Sequence, residues 1–282
     1  MSRESFDPIT RVRSCTFVSV TSGAQISAWR PAVDGIVEVL HAYFPSHAYP
    51  SHTHDAWTVL MVDEGAVRYD LDSREHGLAQ SQVSLLPPNV PHDGRSVRPE
   101  GFRKRVLYLE PGRLGEGLIG AAVDHPDLVD PVLRLRIHQL HDVLVDGQED
   151  LEAQSRLTLI EERLQQHLRN QVVAPADRRD PGIAHRLREV LDGHTPAGIT
   201  LDEASKLVHA HPAHLVRAFT REYGMPPHRY LTGRRVDLAR RFLLAGRPPA
   251  EVAGLAGFYD QSHLTRHFRR MLGVSPTRFV RP

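Results

Sequence analysis

The chain has 282 residues, of which 40% are hydrophobic, and its formal net charge is +1. This length suits two domains, and no stretch approaches the ~18 apolar residues that a membrane-spanning helix needs, which excludes a helical membrane protein. A single cysteine, Cys15, cannot form an intramolecular disulfide, and the first residues lack the apolar core of a secretion signal. These features predict a soluble cytoplasmic protein.

The charge is divided unevenly along the chain. From Ile183 onward there are 16 Lys and Arg against 8 Asp and Glu, a balance of +8, whereas the preceding part has a balance of −7. The basic part is therefore the part expected to meet nucleic-acid phosphate, with an affinity that falls steeply with salt.

Short strands are predicted between about Glu38 and Glu110. Runs rich in β-branched and aromatic residues cover 38–44, 57–62, 67–71, 83–86 and 103–109. Asp63-Glu64-Gly65, between two of these runs, is typical of a tight hairpin turn. Closely spaced strands without a helical pattern predict an antiparallel barrel or jelly roll.

Three histidines stand out in this β region. His52 and His54 are two residues apart, and on a strand this spacing places both side chains on one face. His92 ends the sequence LPPNVPH. The arrangement resembles the cupin pattern HxHxxxE(x)6G followed by PxGxxH, with Gly65 and His92 in place. Thr58 stands where the pattern has its acid, and the second glycine is replaced. The resemblance implies a cupin-type sensing domain.

The histidines have two open interpretations. Three neutral imidazoles can bind a divalent metal such as zinc, nickel or iron, although the acid often used by cupin enzymes is missing. Alternatively, they line a ligand pocket or form hydrogen bonds within the barrel without a metal. The predicted pocket residues are His52, His54, Trp57, Tyr69 and His92.

Two amphipathic helices are predicted to follow the barrel. Leucines and other apolar residues recur at helical spacing over 127–145 and 151–168. The helices either mediate homodimerisation or cover the barrel within one protomer. The Pro-containing polar stretch 172–181 is predicted to be a linker.

The C-terminal hundred residues contain two similar units. In the first, Thr200 and Glu203 form a predicted capping box at the start of a short helix. Pro212 suits the first turn of a second helix, which Gly224 ends. In the second unit Gly257 separates two helices, and Asp260 or Ser262 caps the later one.

The two units form an internal repeat. LVRAFTREYGMPPHRYL, beginning at Leu215, aligns without a gap with LTRHFRRMLGVSPTRFV, beginning at Leu264. A predicted Arg-rich helix, about 227–244, joins them. Two helices with a tight Gly-containing turn, the second with a basic outer face, predict a helix-turn-helix in each unit.

This repeat resembles the DNA-binding domain of the AraC/XylS family of bacterial transcription regulators. The residues in family register are Gly257, Phe258, Ser262, Leu264, Arg266, Phe268, Gly273, Ser275 and Pro276. The resemblance implies a double-stranded DNA partner whose successive major-groove segments, about 34 Å apart, accept the two recognition helices.

Eight residues are predicted to contact DNA from the outer faces of these helices: Ala213, Val216, Arg217, Thr220, Gln261, Ser262, Thr265 and Arg266. Apolar side chains suit thymine methyl groups, Gln pairs with adenine and Arg with guanine. Arg217 and Arg266 have an alternative interpretation, in which they bind phosphate or an internal acid.

The sequence therefore predicts an α+β multidomain protein. Its predicted segments are 1–122, a cupin-like sensing barrel; 123–171, a helical connector; 172–181, a linker; and 182–282, the DNA-binding domain. The predicted function is an effector-responsive transcription regulator, an activator by family analogy, with DNA, a small-molecule effector, RNA polymerase and a second copy as partners.

Two alternative functions stay open at this point. One is a metal-binding cupin protein, either a metal sensor or a metal-dependent enzyme, with an attached DNA-binding domain. The other is an architectural DNA binder without an effector. No catalytic residue is assigned, because no further paired acid/base motif occurs in the sequence.

Overall fold

The computed structural model describes residues 17–19, 23–45, 48–147, 149–172 and 180–280. Cys15 and most of the predicted linker lie outside these residues. The described chain separates into two compact units, one of 17–31, 35–113 and 122–129, the other of 32–34, 114–121 and 130–280. The structure groups the connector helices with the C-terminal helices, and the division into four segments stays a prediction.

The first unit consists of antiparallel strands in two sheets. The strands are β1 (Phe17–Ser19), β2 (Gln25–Trp29), β3 (Ile36–Phe44), β4 (Ala48–His52), β5 (Trp57–Glu64), β6 (Val67–Leu71), β7 (Arg74–Leu78), β8 (Val83–Leu86), β9 (His92–Ser96), β10 (Phe102–Leu109) and β11 (Asp127–Leu128). One sheet has the order β1-β2-β3-β10-β5-β8-β11 and the other β4-β9-β6-β7. The antiparallel β prediction is confirmed.

The core of this unit lies between the two sheets. It combines Val62 and Val106 of the larger sheet with Val67 and Leu71 of the smaller one. Strand β10 is central, since it pairs with β3 on one side and β5 on the other.

The predicted hairpin at Asp63-Glu64-Gly65 is wrong. Strands β5 and β6 belong to different sheets, so this turn carries the chain from one sheet to the other. Both edges of β5 are already taken by β10 and β8, which leaves no edge for β6. Asp63 accepts hydrogen bonds from the Arg105 guanidinium of β10 at 2.7 and 2.8 Å. The turn residues thus anchor the larger sheet.

The second compact unit consists of helices. The first of them, α1, has its first half in the second unit and its second half in the first unit. The helices are α1 (Ile119–Asp124), α2 (Pro131–Asp146), α3 (Asp150–Leu168), α4 (Pro181–Gly193), α5 (Leu201–Val208), α6 (Pro212–Tyr223), α7 (Pro227–Leu244), α8 (Pro249–Leu255), α9 (Gln261–Leu272) and α10 (Pro276–Phe279). Within the described residues, no helix is long and apolar enough to cross a membrane.

The connector helices α2 and α3 pack against each other, and α3 also packs against α5, α6 and α7. Helix α2 begins later than predicted because Asp130 caps it, accepting hydrogen bonds from the Val132 and Leu133 amides. The other Asp130 oxygen accepts from Arg163 at 2.6 Å and lies 2.7 Å from His167 Nε2. One buried carboxylate therefore starts α2 and joins it to α3.

The two helix-turn-helix units have the predicted local structure. Thr200 and Glu203 form the capping box of α5, and Asp260 caps α9. Gly224 and Gly273 adopt left-handed conformations after α6 and α9. The joining helix α7 has the predicted bounds, whereas α4 had not been identified in the sequence.

Gly257, between α8 and α9, meets a close backbone contact. Its φ is +82°, and a Cβ there would lie 2.2 Å from the Pro196 carbonyl oxygen. Only glycine combines this backbone conformation with so close a backbone contact. Gly257 therefore lets the second helix-turn-helix unit pack against the turn before α5.

Candidate functional site

The three histidines converge in the first unit. The ring centroids of His52 and His92 are 4.5 Å apart, those of His52 and His54 4.9 Å, and those of His54 and His92 5.2 Å. Strand β4 ends at His52, so the prediction that one strand carries both His52 and His54 is wrong, although their side chains do meet. Strand β9 supplies His92 beside His52, its register partner.

Backbone carbonyls orient two of these rings. His52 Nδ1 lies 2.7 Å from the Pro50 carbonyl, and His92 Nδ1 lies 3.0 Å from the Val90 carbonyl. Each Nδ1 donates its hydrogen, which leaves Nε2 as an acceptor in the neutral ring. Burial, together with the other two rings, lowers the pKa of His54 to about 4, and burial also lowers the pKa of His92.

This donor set suits a divalent metal. The three candidate ligand atoms lie within 4.8 Å of one another, and a Nδ1–H bonded to a carbonyl is the usual support for a histidine ligand. Thr58, in the position of the cupin acid, is buried and its hydroxyl has no hydrogen-bond partner within the described chain. The triad therefore brings three neutral ligands and no negative charge.

The structure places the other predicted pocket residues in the core. The Trp57 side chain is fully buried and its indole N–H donates to the Pro111 carbonyl at 3.0 Å. The Tyr69 hydroxyl donates to Asp127 at 2.7 Å, and its ring stacks on His76. None of these described contacts joins Trp57 or Tyr69 to the triad.

Two polar residues near the triad had been missed in the sequence. The Tyr108 ring lies 4.9 Å from that of His54, and the Lys104 ammonium helps to lower the pKa of His54 and His92. Alternation along β10 was the available signal. Phe102, Lys104, Val106 and Tyr108 share one face, and Phe102 and Val106 belong to the core.

In the first helix-turn-helix unit, the predicted outer face of α6 is covered. Ala213 and Val216 are buried, with 0% and 3% of their surface exposed, so their predicted exposure is wrong for this conformation. Ala213 lies four residues before Arg217 and so shares its face, and Arg217 pairs with Glu162 of α3. Helix α6 packs against α3, α4, α5 and α7, with α3 on the side of Arg217, while Thr220 is exposed.

Helix α9 of the second unit has a more open outer face. Gln261 and Ser262 are exposed and Thr265 is partly buried. Arg266 donates a hydrogen bond to Asp146, the last residue of α2, at 3.0 Å. The two predicted DNA-contacting arginines thus both pair with acids of the connector helices.

Besides the Arg266–Asp146 pair, a second contact joins the connector to α9. His263 Nε2 and His267 Nε2 lie 3.1 and 2.5 Å from the same Glu149 carboxylate oxygen. His263 Nδ1 accepts a hydrogen bond from the Tyr259 amide, so Nε2 carries the ring hydrogen and donates to Glu149. Burial alone would raise the pKa of Glu149, but these imidazoles lower it. The cluster suits hydrogen bonding better than metal binding.

Comparison with known proteins identifies both parts of the chain. Residues 34–168 match the AraC-like ligand-binding domain, and residues 204–282 match a helix-turn-helix domain. The HTH-type transcriptional regulator YbfI of Bacillus subtilis is 24% identical over 77% of this chain and 81% of its own length. The probable transcriptional regulator LumQ of Photobacterium leiognathi is 32% identical over 32% of this chain and 36% of its own length.

Among solved structures, the AraC-like transcriptional activator CuxR is similar over 86% of this chain and 88% of its own, with 14% identity and a TM-score of 0.42. One of the two domain matches contains most of the first compact unit and the connector helices, and the other contains the two later helix pairs. The chain belongs to the AraC family and is a DNA-binding transcription regulator with an AraC-like ligand-binding domain and a C-terminal helix-turn-helix domain.

Proposed function

We propose that this regulator exchanges between a covered state, in which connector acids hold the DNA-contacting arginines, and a DNA-bound state, controlled by a small molecule in the barrel. The supporting observation is that Glu162 and Asp146 occupy Arg217 and Arg266 at the same time. A ligand changes DNA affinity by its differential affinity for the two states.

DNA and the connector compete for α6 in this proposal. Ala213 and Val216 of the predicted reading face are buried, α3 packs against α6, and Glu162 of α3 pairs with Arg217 on this face. A base pair cannot contact that face until α3 leaves. Of the predicted contact residues on α9, Arg266 is the one paired with a connector acid, and its side chain is 42% exposed. The second helix-turn-helix unit is therefore the first to bind DNA in this proposal.

The proposed DNA contacts are those of the sequence interpretation: Ala213, Val216, Arg217, Thr220, Gln261, Ser262, Thr265 and Arg266. We assign the regulator to the cytoplasm, where its DNA is, and infer a homodimer that activates transcription through RNA polymerase rather than an enzyme. Analytical ultracentrifugation with and without DNA tests the dimer, and a monomeric complex on the preferred site would contradict it.

Selection of a preferred duplex from random-sequence DNA, followed by binding measurements at fixed salt, tests the base contacts. Arg266→Ala should weaken binding to the selected duplex by roughly 1–3 kcal/mol, as loss of a base-pairing Arg does, and should change random DNA little. Arg247→Ala, an exposed arginine paired with Glu251, is the matched charge control. Equal losses on selected and random DNA would reduce Arg266 to a phosphate contact.

For the barrel, we propose that His52, His54 and His92 line the effector pocket. The alternative is a bound divalent metal, which the three neutral ligands fit. Metal analysis of the purified chain separates the two. About one equivalent of metal, lost in the double variant His52→Ala and His92→Ala, would favour a metal sensor.

A further inference from the structure

One of only two lysines in the chain lies in the interior of the first unit. The chain has 35 Lys and Arg, and only Lys104 and Lys206 are lysines. Lys104 is on β10, directly opposite Ala42 of β3 and Val62 of β5. Residues opposite each other in an antiparallel sheet project to the same face. Since Ala42 and Val62 are buried between the sheets, the Lys104 side chain enters that interior.

The ammonium group lies among aromatic rings next to the histidine triad. Lys104 Nζ is 4.2 Å from the centroid of Tyr49 and 5.7 Å from that of Phe44. Tyr49 belongs to the smaller sheet, and its ring is 5.9 Å from that of His52. The Tyr49 ring therefore neighbours both the Lys104 ammonium and His52 of the triad.

No carboxylate of the described residues balances the charge of Lys104. Within the described ranges, no carboxylate forms an ion pair with it. Asp93, beside the triad, accepts a hydrogen bond from the Asp70 amide and lies 3.6 Å from Arg95. Asp55, beside His54, is exposed. A partly buried cation without a nearby acid is costly, and desolvation lowers the pKa of Lys104 to about 8.

Among the described residues, the sheet face that carries Lys104 has further polar groups outside any ion pair. Thr58 of β5 lies opposite Tyr108 of β10, on the face that Lys104 shares by alternation, and its buried hydroxyl lacks a partner within the described residues. Glu38 of β3 also lies opposite Tyr108. Burial raises the pKa of Glu38, which weakens its tendency to supply a negative charge.

We propose that this interior binds a small monocarboxylic acid, with the carboxylate on Lys104 and an apolar or aromatic body against Phe44 and Tyr49. The inference rests on the proposed function, which places an effector in the barrel. One compact ammonium matches one carboxylate charge, whereas a phosphate dianion would bring a second charge and is usually held by several N–H donors. A metal on the triad would add positive charge and favour the same anion.

The two lysines allow a direct experiment on the full chain. Protein labelled with ¹³C at lysine Cε should give two side-chain signals, assigned with Lys104→Arg. Benzoate, phenylacetate and hexanoate are each compared with the corresponding neutral amide, and inorganic phosphate is compared at equal ionic strength. An acid should shift the Lys104 signal and raise the Tm. Its amide and phosphate should change neither, and the Lys206 signal should not shift with any of the compounds. EDTA-treated and zinc-loaded samples repeat the series.

A variant pair tests the role of the charge. Lys104→Met should weaken binding of the acid at least tenfold, and Lys206→Met should leave it unchanged. Without ligand, Lys104→Met should melt no lower than the wild type, because removal of a partly buried charge without an acid outweighs the loss of its contacts with the Tyr49 and Phe44 rings. A lower Tm of this variant would indicate a structural lysine and overturn the proposal.

Three results would also overturn it: equal binding of an acid and its amide, binding of phosphate alone, or no response of the wild-type Lys104 signal to any of the acids. DNA affinity is measured separately. An acid that binds through Lys104 without changing DNA affinity would support the site and refute the effector role in the proposed function.

Discussion

Removal of the acid that holds Arg217 should strengthen DNA binding. Glu162→Gln keeps the size of the side chain and removes its charge. The covered state therefore loses an ion pair, whereas every residue proposed to contact DNA is unchanged. The side chains of Arg217 and Glu162 are 33% and 26% exposed, which makes this a partly buried pair.

The size of the effect follows from that burial. A hydrogen bond to a charged group contributes ~1.5–3 kcal/mol, and exposed ion pairs contribute at most ~1 kcal/mol. The Arg217–Glu162 pair lies between these cases, so we expect about 1–2 kcal/mol, or roughly 5–30-fold tighter binding when the covered state predominates. Asp146→Asn, whose pair with Arg266 is more exposed, should give less than about 5-fold.

Fluorescence anisotropy with the selected duplex, at one salt concentration, measures this change. Removing any acid makes the protein more attractive to phosphate, so Glu251→Gln, which changes the same charge at an exposed pair on α8, is the reference. The expected result is a clear excess of Glu162→Gln over this reference. Equal effects of the two variants would refute the competition between α3 and DNA.

Three further predictions concern stability, measured by chemical denaturation. Asp130→Asn should lower the free energy of unfolding by about 3–5 kcal/mol, because it breaks a buried ion pair. The control Asp237→Asn, at an exposed position, should change it by less than about 0.5 kcal/mol. Similar values for the two variants would contradict the role of Asp130. Gly257→Ala should cost at least ~1–3 kcal/mol through its positive φ alone, while Gly254→Ala, in a helix with open space at Cβ, should be neutral or stabilising. Burial lowers the pKa of His228 from 6.5 to about 4, so the neutral ring's contribution is full above pH 6.5 and is lost as pH falls from 6.5 towards 4; His228→Gln should flatten this loss, and an unchanged pH profile would contradict it.

Local sequence patterns predicted much of the C-terminal half. The capping box at Thr200, the Asp260 cap and the glycines after α6 and α9 depend on neighbouring residues, so short motifs were sufficient for them. The bounds of α7 follow from Pro227 and from the repeat on either side.

Features that depend on distant partners were missed. Helical spacing placed Ala213 and Val216 on the outer face of α6, but it carries no information about the distant helices that bury them or about Glu162 of α3, which pairs with Arg217. The turn at Asp63 looked like a hairpin because nothing near it shows that β10 and β8 already occupy both edges of β5.

The candidate site in the first unit was predicted in part. The HxH pattern brought His52 and His54 to attention, and the structure places His92 beside them. Trp57 and Tyr69 were assigned to the pocket as aromatics on strands, but their faces depend on register, and a shift of one residue exchanges the faces. Lys104 was overlooked although its alternation with Phe102 and Val106 indicates an inward side chain.

Methylation protection of guanine N7 on the selected duplex tests the central claim, that both α6 and α9 reach the major groove once α3 is displaced. We expect two protected segments per protomer, centred about one helical turn or 10 base pairs apart on one face, with the segment assigned to α6 lost in Arg217→Ala. A single protected segment that Arg217→Ala leaves unchanged would contradict the account.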